Sequence, residues 1–218
     1  MTNYVDIAKR ANHCQRNWDY TQPIPKEDID TIVNTAVNMP TKQSLKPYKL
    51  LVSDDLDFNH EFYKLAIDPE NKKSFDRPLP HRNTQVYAPL LLIFIRIPLD
   101  LDQIDPNILE RSHFDQSHIV ENNTHYSVSA GIASGTAAFT ARQMGYSTGY
   151  CQCFDHPNVS LFFKEKNIEY FDYIDLISLG IGKPLENYQW TDIVYNNEFS
   201  RSVPSYEKQI DVQYYEKI

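Results

Sequence analysis

The spacing of apolar residues predicts several amphipathic helices. The clearest lies in residues 25–39, where Pro25 and the acidic residues after it favour a helix N-terminus. Apolar residues recur there at helical spacing: Ile29, Ile32, Val33, Ala36 and Val37. Further helical patterns lie in residues 4–11, 55–67, 126–145 and 158–166. These patterns predict helices that each bury one face.

The helix predicted over residues 126–145 differs from the others because it is rich in small residues. Gly145 is placed to end it, since glycine accepts the left-handed conformation of a helix C-terminus. Its small residues are Ala130, Gly131, Ser134, Gly135, Ala137 and Ala138. They predict a face that another helix can approach closely.

Strand patterns alternate with the helical ones. The continuously apolar run 88–97 predicts a strand that is buried on both faces. Shorter strand patterns lie in residues 48–53, 146–155 and 173–182. Helices and strands without regular βαβ alternation predict an α+β fold. We expect a single domain over 1–218, with a variable, partly helical insertion at 100–124 and a C-terminal extension at 185–218.

Composition excludes several classes of protein. The 218 residues are 41% hydrophobic and 23% charged, which is typical of a globular chain. The net charge of -8 argues against a nucleic-acid-binding protein, which needs a cationic face. The apolar run at 88–99 is interrupted by Arg96 and is shorter than the roughly 20 residues of a membrane helix. No membrane partner and no nucleic-acid partner are therefore expected.

The cysteines and histidines argue against structural metal or disulfide chemistry. The chain has three cysteines and no recognisable signal peptide, which favours a reduced, cytoplasmic protein. Cys151 and Cys153 are too close in sequence for a relaxed disulfide, and we interpret both as small buried hydrophobic residues. The spacing of the histidines in residues 113–125 does not suit one metal ion, so no metal is predicted.

Three clusters of cationic and amide side chains are candidates for binding a ligand. They lie in residues 9–19, in the connector 41–44 between Pro40 and Pro47, and in residues 81–85. Arginine and lysine suit a phosphate, and amides suit a ring with alternating donors and acceptors. The alternative is that the three clusters are solvated surface segments.

Five segments, taken in order, resemble the FMN-dependent nitroreductase family over nearly the whole chain. They are RNWD (16–19), PTKQSLKPY (40–48), QMGYSTGY (143–150), GIGKP (180–184) and SRSVP (200–204). The resemblance implies a mostly antiparallel sheet flanked by helices in an intertwined homodimer. It also implies an FMN-dependent oxidoreductase that takes hydride from NAD(P)H and reduces small acceptors, such as nitroaromatics or quinones, by a ping-pong mechanism.

The resemblance also implies which residues bind FMN, with the connector supplied by the other subunit. Arg16 is expected at the pyrimidine edge of the flavin, where its charge favours the reduced ring. Arg201, with Arg10 or Arg16, is expected at the phosphate. The full set of candidates is Arg10, Asn12, His13, Cys14, Arg16, Pro40, Thr41, Lys42, Gln43, Ser44, Asn83, Gln85, Tyr150, Cys151, Gln152, Cys153, Lys183 and Arg201.

Some positions depart from the family pattern and leave alternatives open. Asn12 and Cys14 stand where the family usually has arginine and serine, and Gln152-Cys153 stands where it often has Glu-Gly. One alternative is a degenerate flavin-binding or non-catalytic interaction protein with the same fold. Another is a different flavin-dependent reductase, of dehalogenase or ene-reductase type.

Overall fold

The secondary structure follows the predicted order. The computed structural model describes residues 4–11, 14–41, 45–66, 83–97, 105–111, 123–168 and 175–185. The helices in these segments are α1 (Tyr4–Ala11), α2 (Lys26–Val37), α3 (Leu56–Tyr63), α4 (Pro106–Arg111), α5 (Asn123–Gln143) and α6 (His156–Glu165). The strands are β1 (Tyr48–Ser53), β2 (Leu90–Arg96), β3 (Ser147–Cys151) and β4 (Leu176–Gly182), and a 3-10 turn spans Thr84–Val86.

The four strands form one antiparallel sheet in the order β1-β2-β4-β3. Strand β2 is central, and its residues 90–95 are fully buried, which confirms the prediction from their continuous apolarity. Helices therefore cover both faces of this strand. The predicted α+β class is confirmed.

Each face of the sheet has its own core. On one face Leu92, Phe94 and Leu179 pack with residues of α2 and α5. On the other face Leu91, Ile93 and residues of α3 and α6 form a second core rich in phenylalanine. This two-sided packing follows from the alternation of side chains along each strand.

The N-terminal segment 14–19 covers the outer edge of β3. The backbone nitrogen of Gln15 donates to the carbonyl of Thr148 at 2.8 Å, and that of Asp19 donates to the carbonyl of Lys183 at 2.9 Å. Trp18 forms an isolated bridge with Pro184. The first of these contacts satisfies one backbone group of the edge strand β3, and the contacts with Lys183 and Pro184 hold the segment at the end of β4.

Helix α5 differs from the prediction at its N-terminal end only. It begins at Asn123, so residues 123 and 124 belong to this helix and not to the predicted insertion. Its C-terminal end is confirmed, because Gly145 has a φ of 84° directly after the last turn. Helix α4 lies within residues 100–124, and the assignment of that range to a variable insertion stays a prediction.

The small residues of α5 lie partly in the core of the chain and partly on its surface. Ala130, Ser134 and Ala137 are buried inside the chain, whereas Gly131 and Gly135 are exposed. A Cβ added at either glycine would meet nothing within 4 Å. Gly131 and Gly135 follow buried Ala130 and Ser134 by one residue, and a helix turns by about 100° per residue, so the glycines lie beside the buried side of α5. The close approach of another helix at these glycines stays a prediction.

No helix in the described part of the chain is long and apolar enough to cross a membrane. The assignment of residues 1–218 to a single domain stays a prediction.

Candidate functional site

Two glycines make room for the 3-10 turn on the sheet. Gly149 of β3 and Gly180 of β4 are register partners. A Cβ at Gly180 would lie 2.0 Å from the carbonyl oxygen of Gln85, and one at Gly149 would lie 2.6 Å from the Cβ of Gln85. Because only glycine tolerates such close approach, the turn can lie directly over this pair of strands.

Gln85 is held against β3 by its own side chain. Its Nε2 donates to the carbonyl of Tyr150 at 3.1 Å, while its Oε1 is buried without a partner among the described residues. The Nδ2 of Asn83, just before the turn, is also buried without such a partner. A donor and an acceptor that lack partners suit a ligand with a polar edge, because unsatisfied buried polar groups are costly.

Cys14 and Arg16 lie on the segment that pairs with β3. The Cys14 thiol donates to the carbonyl of Tyr150 at 3.7 Å. Burial raises the pKa of the Cys14 thiol, and the nearby guanidinium of Arg16, the Tyr150 carbonyl and the guanidinium of Arg142 oppose that rise. Arg16 is half-buried and has no carboxylate partner among the described residues. Its charge is therefore available to an anionic group.

Arg142 brings a second cation to this region from the end of α5. Its guanidinium donates to the hydroxyl of Ser147 at 3.2 Å and to the hydroxyl of Thr148 at 3.3 Å. Arg142 is not among the residues that the sequence patterns or the family motifs indicate. Its position in the last turn of a predicted helix is typical of a cation that stabilises the helix C-terminus. That position does not predict that the side chain reaches the following strand.

The segment after β3 carries the remaining candidates on this side. Cys151 is buried, which confirms its interpretation as a small hydrophobic residue, whereas Cys153 is exposed, so that interpretation was wrong for Cys153. Gln152 is also exposed. The Tyr150 hydroxyl donates to the Ser134 carbonyl at 2.8 Å and so joins β3 to α5. The structure thus brings together Cys14, Arg16, Gln85, Tyr150, Cys151, Gln152 and Cys153.

Lys183 lies at the other end of the β3–β4 pair. Gly182 pairs with Ser147, the first residue of β3, whereas Ser178 pairs with Cys151, its last residue. The Nζ of Lys183 donates to the carbonyl of Gly145 at 2.9 Å and lies 4.4 Å from the centre of the Tyr146 ring. In the described structure Lys183 thus stabilises the C-terminal end of α5.

The connector is described only at its two ends. Pro40 is exposed, and the hydroxyl of Thr41 donates to the carbonyl of Leu45 at 2.6 Å, which closes the connector on itself. The remaining candidates lie outside the described residues: Asn12, His13, Lys42, Gln43, Ser44, Arg201 and the side chain of Arg10.

This arrangement fits a planar, anionic cofactor such as FMN. Gln85 and Asn83 offer buried polar atoms of opposite kind, and Arg16 offers a cation that no carboxylate of the described segments neutralises. No group of three or more histidine, cysteine, aspartate or glutamate side chains in the described residues could hold a metal ion. The polar atoms of Gln85 and Asn83 and the charge of Arg16 suit hydrogen bonding and charge stabilisation of a bound ring.

Comparisons with known sequences give one similar protein. No family model matches the chain. A protein of Bacillus subtilis (strain 168), provisionally named NAD(P)H nitroreductase YdgI, is 22% identical over 201 residues, which covers 83% of this chain and 88% of that protein.

Solved structures show the same architecture. A provisionally named nitroreductase from Exiguobacterium sibiricum 255-15, solved in complex with FMN, has a TM-score of 0.61 at 20% identity, covering 87% of this chain and 92% of that chain. A nitroreductase from Bacteroides fragilis NCTC 9343 with bound FMN has a TM-score of 0.62 at 13% identity, with the same coverage of 87% and 92%. These comparisons confirm the resemblance to the nitroreductase family that the sequence motifs predict, and they show that the chain has the nitroreductase fold.

Proposed function

We propose that this chain is an FMN-dependent oxidoreductase that takes hydride from NAD(P)H and reduces small acceptors such as nitroaromatics or quinones by a ping-pong mechanism. The observation that carries the proposal is the meeting of Arg16, Gln85 and the end of β3 at one place. Buried polar atoms of Gln85 and Asn83 there have no partner in the described part of the chain. The B. subtilis relative and the two FMN-bound structures support the same activity.

Bound FMN would supply the redox chemistry, and the chain would supply binding and charge. Gln85 and Asn83 would hydrogen-bond the polar edge of the ring. Arg16 would stabilise the negative charge of the reduced ring. Arg201, with Arg10 or Arg16, would bind the phosphate. The other residues proposed to contact the cofactor are Asn12, His13, Cys14, Pro40, Thr41, Lys42, Gln43, Ser44, Tyr150, Cys151, Gln152, Cys153 and Lys183.

Arg142 extends this proposal to a residue outside the family motifs. The family arginine and serine positions hold Asn12 and Cys14 here, so the N-terminal segment has one fewer cation. Arg142 reaches β3 from the end of α5 through the hydroxyls of Ser147 and Thr148, and its charge favours a lower pKa of the Cys14 thiol. We therefore propose that Arg142 replaces part of the missing positive field at the site.

We also propose an intertwined homodimer, in which α5 contributes its exposed face to the interface. Val128 is 53% exposed and Ile132 is 43% exposed on this face, next to the open positions of Gly131 and Gly135. Contiguous exposed apolar surface is typical of a protein interface. The connector of one subunit would then reach the flavin of the other.

An absorbance spectrum of the purified protein tests the proposed function. The protein should be yellow, and NAD(P)H added without oxygen should bleach it; oxidant added afterwards should restore the colour. A yellow protein that NAD(P)H does not bleach would support a flavin-binding protein without this activity. A colourless protein that does not take up added FMN would contradict the proposal and favour a non-catalytic interaction protein.

A further inference from the structure

All three cysteines of the chain lie around the end of strand β3. Cys14 contacts the carbonyl of Tyr150 from the N-terminal segment, and Cys151 and Cys153 follow directly in the chain. The chain has 218 residues and no other cysteine. Packing accounts for buried Cys151, but it does not account for an exposed cysteine two residues later.

Cys151 and Cys153 lie side by side. The Cys151 thiol contacts the backbone of Cys153 on both sides of its Cα atom. The Sγ of Cys151 lies 3.4 Å from the backbone nitrogen of Cys153 and 3.9 Å from its carbonyl oxygen. Strand β3 ends at Cys151, so the chain turns there and brings the backbone of Cys153 close to the buried sulfur.

We propose that Cys151 and Cys153 form a reversible dithiol–disulfide pair that reacts with low-molecular-weight disulfides such as oxidised glutathione. The pair is a redox modification site at the end of β3. Only its effect on the flavin rests on the proposed function. A disulfide across one intervening residue is less relaxed than one that joins distant segments, and such bridges are the labile, easily reduced ones.

Exposure decides the order of the two reactions. Cys153 is the exposed member, so its thiolate attacks one sulfur of oxidised glutathione, the S–S bond breaks, and one glutathione leaves and takes up a proton. Cys151 then loses its proton to solvent and attacks the Cys153 sulfur, which releases the second glutathione. In total, the two protein thiols lose two electrons and two protons. One molecule of oxidised glutathione gains them and becomes two molecules of reduced glutathione.

The environment of Cys151 suits its role as the thiol that reacts second. The hydrogen bond with Cys153 and burial raise the pKa of the Cys151 thiol well above 9.0. Cys151 therefore stays protonated and unreactive until Cys153 carries a leaving group beside it.

Peptide mass spectrometry after treatment of the folded full-length protein with oxidised glutathione tests the proposal. Cleavage after Arg142 and Lys164 releases both cysteines in one peptide, and Cys14 lies in another. We expect the 143–164 peptide to lose two hydrogen atoms and to regain them with a dithiol reductant. The number of thiols that can be alkylated should fall from three to one per chain.

Two single variants control this experiment. Cys14→Ser should still form the bridge, because Cys14 is not part of the pair. Cys153→Ser should show no hydrogen loss, and its circular dichroism spectrum should match that of the wild type if it is folded. Three alkylatable thiols after treatment, glutathione that stays attached to Cys153, or a bridge from Cys14 would each overturn the proposal.

Flavin binding measured on the same samples keeps the two proposals separate. The bridge forms without flavin chemistry, so a protein that does not bind FMN but loses the two hydrogens would contradict only the proposed function. Because Gln152 lies between the two cysteines at the candidate site, we expect the bridge to change the fluorescence of bound FMN.

Discussion

Gln85 donates from its side-chain amide to the carbonyl of Tyr150 at 3.1 Å, and its other amide atom is buried without a partner among the described residues. The first contact fixes the rotamer of Gln85 against β3. The second leaves one acceptor for a bound ring, so the same residue serves the fold and the proposed site.

Gln85→Met should separate these two roles. The variant loses the bond to Tyr150, but it also removes a buried acceptor for which the described residues offer no partner, so the two changes in unfolding free energy oppose each other. We expect a loss of at most about 1 kcal/mol in stability without FMN, and about tenfold weaker FMN binding. Urea unfolding and fluorescence titration with FMN measure the two effects. Equal FMN affinity in the variant would show that Gln85 does not contact the flavin.

Gly149→Ala should strongly destabilise the protein. The new Cβ would lie 2.3 Å from the carbonyl oxygen of Gln15 and 2.6 Å from the Cβ of Gln85, so both segments must move. Overpacking of this kind costs on the order of 3 kcal/mol. Urea unfolding measures the loss. A variant as stable as the wild type would show that the N-terminal segment does not pack on β3 in solution.

Arg16→Gln should keep the yellow colour and lower the midpoint potential of the flavin. A cation about 4 Å from a charge in a partly shielded site is worth up to roughly 4 kcal/mol. A fraction of that, about 1.4 kcal/mol, corresponds to about 30 mV for a two-electron couple. We expect a negative shift of that order and slower reduction by NAD(P)H. Arg16→Lys is the matched control, because it keeps the positive charge and should shift the potential less. A variant that binds FMN with an unchanged potential would place Arg16 away from the reduced ring.

Ile132→Glu should convert the proposed homodimer to a monomer. Ile132 is 43% exposed on the outer face of α5, and a buried unpaired carboxylate at an interface is costly. Leu161→Glu is the matched control, because Leu161 is 58% exposed on α6. Light scattering should give a mass near 25.5 kDa for the first variant and twice that for the control. A wild-type monomer that binds FMN would contradict the shared pocket.

The unfolding free energy should fall as the pH rises above about 9. The folded-state pKa values of Cys14 and Cys151 are raised from the usual 9.0, so the unfolded chain loses these protons first. The folded state then binds more protons, and stability decreases with rising pH. Urea unfolding at about pH 8 and about pH 10 measures this loss. Burial also raises the pKa of Tyr150, to about 12, which adds to the loss at higher pH. Cys14→Ser should lose less unfolding free energy over this pH range than the wild type. An equal loss in the two proteins would mean that Cys14 does not contribute to the pH dependence.

The sequence by itself determined the elements and their order. The apolar run in β2 required burial on both faces, and the periodicity of α2 required one buried face, because these patterns depend only on local geometry. The family motifs also indicated Arg16 and the end of β3, and the cluster of cationic and amide residues at 81–85 indicated Gln85, before their positions in space were known. The cytoplasmic location suggested by the cysteines stays a prediction.

Only the tertiary structure decided which of these residues meet. Gly149 and Gly180 are neighbours because β3 pairs with β4, and that pairing allows the turn that carries Gln85 to lie on the sheet. The roles of Arg142 and Lys183 and the contact between Cys151 and Cys153 likewise depend on how side chains are oriented after packing. Residue spacing cannot specify such contacts, because they join segments that are distant in sequence or lie where a regular element ends.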